Sequence, residues 1–272
     1  MPDRATHATR PFRFGVVAPV GPDLRAWRDR VRRIADHGYS TLLMPDVPTW
    51  QPTLGPTLAT AAALTDLRIG SWVYAAALRE SWSTAWEAHS LSVLTEGRFE
   101  MGIGAGRPGI EVELGQPAVS PAERRARMRE TVKALRRFDG PDLHTPVVMA
   151  VSGPKSQALA LEVADAVTFV LATDDDRAET TKRVRDFAGR GDMELAQHVA
   201  AVGDRAAPFM AGPNLDTAAL RAADSLVILP SDPAAAAEEI QRRREEIGFS
   251  YFVIGADFAD LLAPVVAELA GR

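Results

Sequence analysis

Short apolar runs alternate with longer segments of helical periodicity from Phe12 almost to the C-terminus. This alternation is typical of a parallel sheet whose strands are connected by helices. Eight apolar runs are predicted as strands: Phe14–Pro19, Thr41–Met44, Arg68–Tyr74, Phe99–Gly104, Val147–Val151, Ala166–Leu171, His198–Val202 and Tyr251–Gly255.

The clearest helical segment between these runs is Pro121–Phe138. Its periodicity predicts an apolar inner stripe and an arginine-rich face toward solvent. The inner residues are Met128, Val132 and Leu135, and the predicted outward residues are Arg124, Arg125, Arg129 and Arg136. A second helix, Pro233–Gly248, has an N-cap residue before it and a glycine at its end.

Eight strand–helix units suit a closed (β/α)₈ barrel, and 272 residues is a typical length for one. A ninth apolar run, Leu226–Leu229, leads directly into the last long helix and is interpreted as a short connector. An open doubly wound sheet, which accommodates nine strands, is the alternative. No linker or repeat divides the chain, so we predict an N-terminal tail over residues 1–11 and one α/β domain over residues 12–272.

The composition excludes several classes of function. The chain has 31 Lys+Arg and 36 Asp+Glu, a net charge of −5, and no basic block, which argues against nucleic-acid binding. It has no cysteine, so disulfides, thiolate zinc sites, iron–sulfur clusters and cysteine nucleophiles are excluded. No histidine has metal-ligand spacing, and no metal site is predicted. No signal-peptide pattern or run of 18 apolar residues occurs, so we expect a cytoplasmic protein without membrane contact.

In a (β/α)₈ barrel the active site lies at the C-terminal ends of the strands. Asp46 follows the second strand and is either a charged site residue or a turn residue. Gly102, Gly104 and Gly106 alternate along and after the fourth strand, where glycines permit close approach of another backbone or of a flat ligand. Residues 104–109 match GxGxxG formally, but they follow the fourth strand and open no helix until Pro121, unlike a dinucleotide-binding fingerprint.

Two predicted helix starts are candidate anion sites. The fifth strand turns at once into a helix, and Ser152 and Lys155 lie where backbone N–H groups are free, although helix capping is the more usual explanation for such a segment. Ser231 lies before the helix that starts at Pro233, and Asp232 is interpreted as its N-cap. His198 lies within a strand and is either a core residue or a catalyst. No GxSxG elbow supports serine hydrolase chemistry.

Several segments resemble the luciferase-like flavin and deazaflavin oxidoreductases, a family of (β/α)₈ TIM barrels. The matching segments are Arg10–Gly15, Gly38–Asp46, Leu67–Val73, Glu87–Gly106, Ser152–Pro154, Ala164–Asp165 and Gly248–Tyr251. Their order and spacing cover most of the chain. The resemblance therefore implies a luciferase-like barrel over the whole predicted domain, and by family analogy a homodimer that acts on a small-molecule substrate.

The resemblance implies an organic cofactor at the mouth of the barrel, either coenzyme F420 or FMN. Its ring and phosphate are assigned by the family pattern to Trp72, Val73, Gly104, Ala105, Gly106, Ser152, Gly153, Lys155 and Ser231. The family often has a non-prolyl cis peptide near the first two of these positions. The implied activity is F420-dependent hydride transfer to or from a small organic substrate. The alternatives are an FMN-dependent monooxygenase and a member without redox chemistry, acting as a binding protein or as a non-redox catalyst.

The sequence also departs from the family pattern. Many deazaflavin enzymes have His after the strand-two Asp, and the sugar-phosphate dehydrogenases have Glu after the strand-four GxG, whereas this chain has Val47 and Arg107. The proton-transfer pair of those enzymes is therefore absent. The residues left as candidate acids or bases are Asp46, Tyr74, Glu111 and His198, while Arg107 is a candidate ligand for a carboxylate or phosphate. The segment between Phe138 and Pro146 is short where family members carry a longer insertion.

Overall fold

Parallel strands close into a barrel in the computed structural model, which describes residues 10–48, 50–171, 175–211 and 215–272. The strands are β1 Arg13–Val17, β2 Thr41–Met44, β3 Arg68–Ser71, β4 Tyr74–Ala75, β5 Phe99–Gly104, β6 Val147–Val151, β7 Ala166–Phe169, β8 Glu194–Val199, β9 Ala201–Val202, β10 Arg205–Ala206, β11 Ile228–Leu229 and β12 Phe249–Gly255. The helices are α1 Leu24–Asp36, α2 Leu54–Leu64, α3 Ser81–Leu94, α4 Ile110–Glu113, α5 Pro121–Asp139, α6 Pro154–Val163, α7 Arg177–Ala188, α8 Thr217–Ala222, α9 Pro233–Ile247 and α10 Ala259–Leu269, with a 3₁₀ turn at Ala256–Phe258.

The barrel has the strand order β3-β2-β1-β12-β8-β7-β6-β5, and pairing between β3 and β5 closes it. The short β4 continues the course of β3 and pairs with the end of β5. Helices connect successive strands, as the alternation of apolar runs and helical segments predicted. The (β/α)₈ prediction is therefore confirmed, and the open doubly wound sheet is wrong.

Side chains on the barrel strands alternate between two apolar layers, as the period of two requires. One set, with Val16, Leu42 and Phe99 among its members, is buried between the strands and the surrounding helices. The other set points inside the barrel and includes Val17 and Leu43. The helix layer is the main core, and the interior residues shape the space at the barrel's mouth.

Charged residues fill the opposite, N-terminal end of the barrel interior. Glu100 is 1% exposed and accepts hydrogen bonds from Arg13 at 2.6 Å and from the Tyr251 hydroxyl at 2.7 Å. Arg13 also pairs with Glu194 at 2.6 Å. Burial, followed by the neighbouring Glu100 carboxylate, raises the pKa of Tyr251 well above its ordinary value. Each buried charge thus has a partner, as a low-dielectric interior requires.

Two predicted strands need correction. The predicted strand Arg68–Tyr74 breaks after Ser71, and the chain pairs again only at Tyr74–Ala75. The predicted strand His198–Val202 is wrong in its bounds, because the barrel strand is Glu194–Val199. Ala201–Val202 belongs instead to a small separate sheet with β10 and β11, which contains part of the predicted connector. Both sheets bury apolar residues, so the apolar pattern alone does not separate them.

The helix predicted over 121–138 is present as α5, but Arg124, which was predicted to face solvent, is buried. Arg124 is 7% exposed and pairs with the buried Glu111 at 2.6 Å, whereas a solvated position was expected. Glu111 lies in α4, one helical turn in a segment predicted to be non-helical. The Val119 backbone N–H, together with Arg124, holds the pKa of Glu111 below its ordinary range.

The connection predicted to be short, between Phe138 and Pro146, is short in the structure. The chain passes from α5 to β6 through residues 140–146 without any inserted element. Residues 1–9 of the predicted N-terminal tail lie outside the described residues. No helix in the described part of the chain is long and apolar enough to cross a membrane.

Candidate functional site

A cavity of about 320 Å³ lies at the C-terminal end of the barrel strands, the end at which (β/α)₈ enzymes hold their active sites. It lies within the range of ordinary small-molecule sites and is lined mainly by apolar side chains. The lining residues are Val17, Trp72, Val73, Ala150, Thr168, Phe169, Val170, Leu171, His198, Phe209, Met210 and Val227.

Small side chains on neighbouring strands create the space. Ala150 on β6 pairs in register with Thr168 on β7, which pairs in turn with Ala196 on β8. All three follow the inward-facing alternation of their strands. On the opposite side Trp72 packs edge-on against Tyr251, with ring centroids 6.2 Å apart. The cavity therefore occupies the space beside the small side chains of β6 and β7, such as Ala150 and Thr168.

Thr168 gives the cavity a polar group on its floor. The residue is 5% exposed, and within the described residues its Oγ1 has no hydrogen-bond partner. The outward neighbours Val167 and Phe169 pack into the helix layer, so Thr168 points inside the barrel. Thr168 is the residue with such an unpartnered buried side-chain atom that also lines the cavity in the described part of the chain, so its hydroxyl is available to a ligand there.

His198 lines the cavity from β8 and is held at both ring nitrogens. Its Nδ1 lies 3.4 Å from the Trp72 indole nitrogen, and its Nε2 lies 3.1 Å from the Met210 carbonyl oxygen. An indole N–H only donates and a carbonyl only accepts, so these contacts select the neutral tautomer with hydrogen on Nε2. Burial also lowers the pKa of His198, which keeps the ring uncharged at neutral pH.

The end of the third barrel strand carries Trp72 and Val73, joined by a cis peptide bond. Both side chains line the cavity, although alternation along a regular strand would send one of them outward. A Cβ on Gly104 would lie 2.8 Å from Val73 Cγ2, and one on Gly102 would lie 2.0 Å from the Ser71 carbonyl oxygen. The glycines of β5 thus make room for the neighbouring strand.

Asp46 and Tyr74, two of the predicted catalytic residues, lie in a cluster behind this strand end. Asp46 accepts hydrogen bonds from Arg79 at 2.6 and 3.0 Å and from the Ala75 backbone N–H at 3.0 Å. The Tyr74 hydroxyl donates to Glu87 at 2.7 Å. Burial, with Glu87 second, raises the pKa of Tyr74 well above its ordinary value. Neither Asp46 nor Tyr74 is among the residues that line the cavity.

The loop after β5 carries Ala105, Gly106 and Arg107. Arg107 is exposed and forms a two-pronged ion pair with Glu113, at 2.7 and 2.5 Å. Arg124 of α5 donates from Nη1 to the backbone carbonyl oxygens of all three loop residues, at 3.1 to 3.3 Å. The loop is therefore held at the rim of the barrel by a buried arginine, and Arg107 points away into solvent.

The two predicted anion sites are helix starts on the rim. Ser152 and the N-cap residue Gly153 precede α6, and Lys155 lies in its first turn. The backbone N–H groups of Ser152 and Gly153 donate to Ser156 Oγ at 3.1 and 3.2 Å. In the described part of the chain Lys155 has no ion-pair partner. Ser231 lies exposed beside the start of α9, and Asp232 caps that helix by accepting from Ala235 N at 2.9 Å, as predicted.

Sequence reasoning missed most of the cavity's far wall. Thr168 was detectable, since it is the inward position of a predicted strand. Phe209 and Met210 lie in no strand or helix, and their segment packs on the end of β12, where Gly255 makes room for Ala207 and Met210. Only the folded chain brings this segment over the cavity.

The fold and the cavity define a (β/α)₈ protein with a ligand site at the C-terminal mouth of the barrel. A family model described as luciferase-like monooxygenase matches residues 6–211. The chain belongs to this luciferase-like family, whose members are F420- or flavin-dependent oxidoreductases and monooxygenases.

One curated relative is the F420-dependent glucose-6-phosphate dehydrogenase of Beutenbergia cavernae. It is 28% identical over 158 residues, which cover 47% of this chain and 47% of that protein. The chain thus matches about half the length of this relative.

Solved structures share the barrel over almost its whole length. An F420-dependent secondary alcohol dehydrogenase in complex with an F420–acetone adduct has a TM-score of 0.69 at 18% identity, covering 95% of this chain and 98% of that chain. A riboflavin lyase with modified FMN and riboflavin has a TM-score of 0.69 at 13% identity, covering 96% and 93%. At these identities the likeness is one of fold.

Proposed function

We propose that this protein is an oxidoreductase that uses coenzyme F420 to transfer a hydride to or from a small organic substrate. The observation that carries the proposal is the apolar cavity at the barrel mouth, which is bordered by Trp72 and Val73. It contains the buried Thr168 hydroxyl, which has no hydrogen-bond partner among the described residues. A redox reaction on a bound organic cofactor needs such a site, which excludes water and orients two reactants. Two of the similar proteins carry F420 in their names.

The residues present fit a cofactor with a flat ring and an anionic tail. Val73 and Ala150 line the cavity, and Gly104 lies against both of them. The start of α6 adds Lys155, a cation with no ion pair among the described residues. Helix N-termini and lysines both favour phosphate. Ser156 Oγ now accepts from the Ser152 and Gly153 N–H groups, so a phosphate there would replace that hydroxyl as acceptor.

When bound, the deazaflavin supplies a carbon that accepts or donates a hydride. The chain's own residues supply orientation and an uncharged environment. His198 donates from Nε2 to the Met210 carbonyl and accepts from the Trp72 indole. It therefore holds the segment of Phe209 and Met210 against the barrel, and it carries no charge. Asp46, Tyr74 and Arg107 all have partners outside the cavity.

Activity assays test the proposal against its alternatives. Purified protein with F420 and a panel of small alcohols and ketones should change the oxidation state of F420, followed by absorbance. Protein with reduced FMN and oxygen should show no oxygen uptake above that of reduced FMN alone. Oxygen uptake with FMN and no reaction with F420 would identify a monooxygenase instead, and inactivity in both assays would favour a member without redox chemistry.

We also propose that two copies of the chain associate through α3. This helix exposes Trp82 and Trp86, whose rings stack with centroids 6.3 Å apart, and Leu94, which is 74% exposed. Phe138 of the neighbouring helix α5 is exposed, and its ring stacks on that of His89 in α3. An exposed apolar stripe of this kind is typical of a protein–protein contact.

A further inference from the structure

The polar groups around the cavity are few and uncharged. Thr168 and His198 are the hydrogen-bonding side chains other than the Trp72 indole among the described lining residues, and no lysine, arginine, aspartate or glutamate is present among them. Residues 172–174 and 212–214, which lie outside the described part of the chain, also include no lysine or arginine in the sequence. A negatively charged group in this space would therefore lose its hydration without gaining a positive partner.

His198 does not change this conclusion. Its Nδ1 accepts from the Trp72 indole and its Nε2 hydrogen faces the Met210 carbonyl. Both nitrogens are thus occupied, and the ring is neutral. The ring contributes surface and shape to the cavity rather than a charge for an anionic ligand.

Thr168 is different, because its hydroxyl has a free donor and free acceptor positions. The side chains beside it in register are Ala150 and Ala196, which offer no hydrogen bond. The hydroxyl is buried and points into the cavity, and no described residue satisfies it. A ligand oxygen is the group that completes it, since either a hydroxyl or a carbonyl oxygen can pair with a threonine hydroxyl.

We propose that the cavity binds the reacting part of an uncharged substrate, an apolar body that carries one hydroxyl or carbonyl oxygen, and that Thr168 Oγ1 hydrogen-bonds that oxygen. The inference rests on the proposed function, and it deepens it by naming the substrate class. It also separates this chain from its sugar-phosphate-oxidising relative. With F420 bound, oxidation of such an alcohol would transfer a hydride from the carbinol carbon to the cofactor and the hydroxyl proton to water, which leaves a carbonyl.

The first experiment tests the charge of the ligand. Calorimetric titration of the purified protein compares cyclohexanol, cyclohexanone, cyclohexanecarboxylate and glucose 6-phosphate. The two neutral compounds are expected to bind, and the two anions are expected to bind at least ten-fold more weakly. Equal or tighter binding of either anion, with displacement by cyclohexanol, would overturn the proposal, and so would failure of both neutral compounds to bind.

The second experiment tests Thr168. Thr168→Val removes the hydroxyl at nearly constant volume and is expected to weaken cyclohexanol binding about five-fold, the equivalent of one ordinary hydrogen bond. Thr168→Ser should retain the affinity, and Thr131→Val, at a buried threonine of α5, should not alter it. Benzene binding should be unchanged in Thr168→Val, which shows that the cavity is intact. Unchanged cyclohexanol affinity in a variant that still binds benzene would contradict the role of Thr168.

An F420 titration on the same variants separates this inference from the proposed function. If F420 fails to bind while the neutral ligands bind through Thr168, the cofactor assignment is wrong and the ligand class stands. If Thr168→Val weakens F420 but not cyclohexanol, the cavity holds the cofactor ring, and the substrate assignment is wrong.

Discussion

The side chain of Val73 occupies the place that a β-carbon on Gly104 would need: its Cγ2 would lie 2.8 Å from that atom. Val73 belongs to the irregular end of the third barrel strand and Gly104 to the end of β5. The two residues lock two strand ends together at the rim of the cavity. The glycine is therefore required by the protein's own packing, whatever ligand is also present.

Gly104→Ala should destabilise the fold by about 1–3 kcal/mol, because the added methyl displaces Val73 in a close-packed wall. Gly21→Ala is the matched control, since a Cβ there meets nothing within 4 Å, and its unfolding free energy should stay within about 0.5 kcal/mol of wild type. Urea denaturation measures both. Adding Val73→Ala to Gly104→Ala should restore much of the loss, and a double variant with no recovery would show that another contact is limiting.

Asp46→Asn should destabilise the protein by about 1–3 kcal/mol, since it removes the charge that Arg79 and the Ala75 N–H bind in a largely buried place. Glu113→Gln is the control, because its partner Arg107 is exposed and exposed ion pairs contribute little. The urea midpoint should fall for the first variant and change little for the second. Equal effects would mean that the Asp46 cluster does not hold the strand end.

Stability should fall on the acid side in a way that depends on His198. Burial lowers the pKa of this histidine below its ordinary 6.5, so below that pH the unfolded chain binds a proton that the folded chain does not. Its contribution is thus complete above pH 6.5 and is lost as pH falls, by at most about 1.4 kcal/mol per pH unit. Urea denaturation from pH 7.5 to 5 should show a shallower loss for His198→Asn than for wild type. His37→Asn is the control, at a partly exposed histidine paired with Asp260. An equally reduced pH dependence of stability in this variant would contradict the assignment of the effect to His198.

Self-association should depend on the exposed face of α3. Trp86→Lys places a charge in the middle of the stripe and should convert a dimer to a monomer at micromolar concentration, as measured by sedimentation equilibrium. Leu24→Lys is the control at another exposed apolar residue, 46% exposed on α1, and should stay dimeric. A wild-type protein that is monomeric at high concentration would show that this face has no second copy as its partner.

The barrel was predictable because its signals are local. Each strand is a short apolar run and each helix has its own periodicity, and the glycines of β5 marked the place where two strands come close. The orientation of Arg124 was not predictable, because an arginine in a helical pattern is normally solvated. Its partner Glu111 lies in a segment without any periodic signal. The position of Tyr74 outside the cavity lining was not predictable either, since Trp72 and Val73 both face the cavity and the alternation breaks between them.

The cavity could be predicted only in part. Trp72 and Val73 were named from the family resemblance and His198 from its place within a strand, and all three line the cavity. The inward position of Thr168 was detectable from its predicted strand, but only the register of three strands shows that its neighbours are alanines. Phe209 and Met210 needed the folded chain, because nothing in their local sequence indicates that they cover a barrel mouth.

Equilibrium titration of the purified protein with coenzyme F420 and, separately, with FMN tests the central claim most directly, with cofactor fluorescence as the signal. F420 should bind with saturable, one-to-one stoichiometry and at least ten-fold more tightly than FMN. Lys155→Ala should weaken F420 binding, whereas Lys133→Ala, at a lysine already paired with Glu130 on α5, should not. Tight binding of FMN with no saturable binding of F420 would contradict the account.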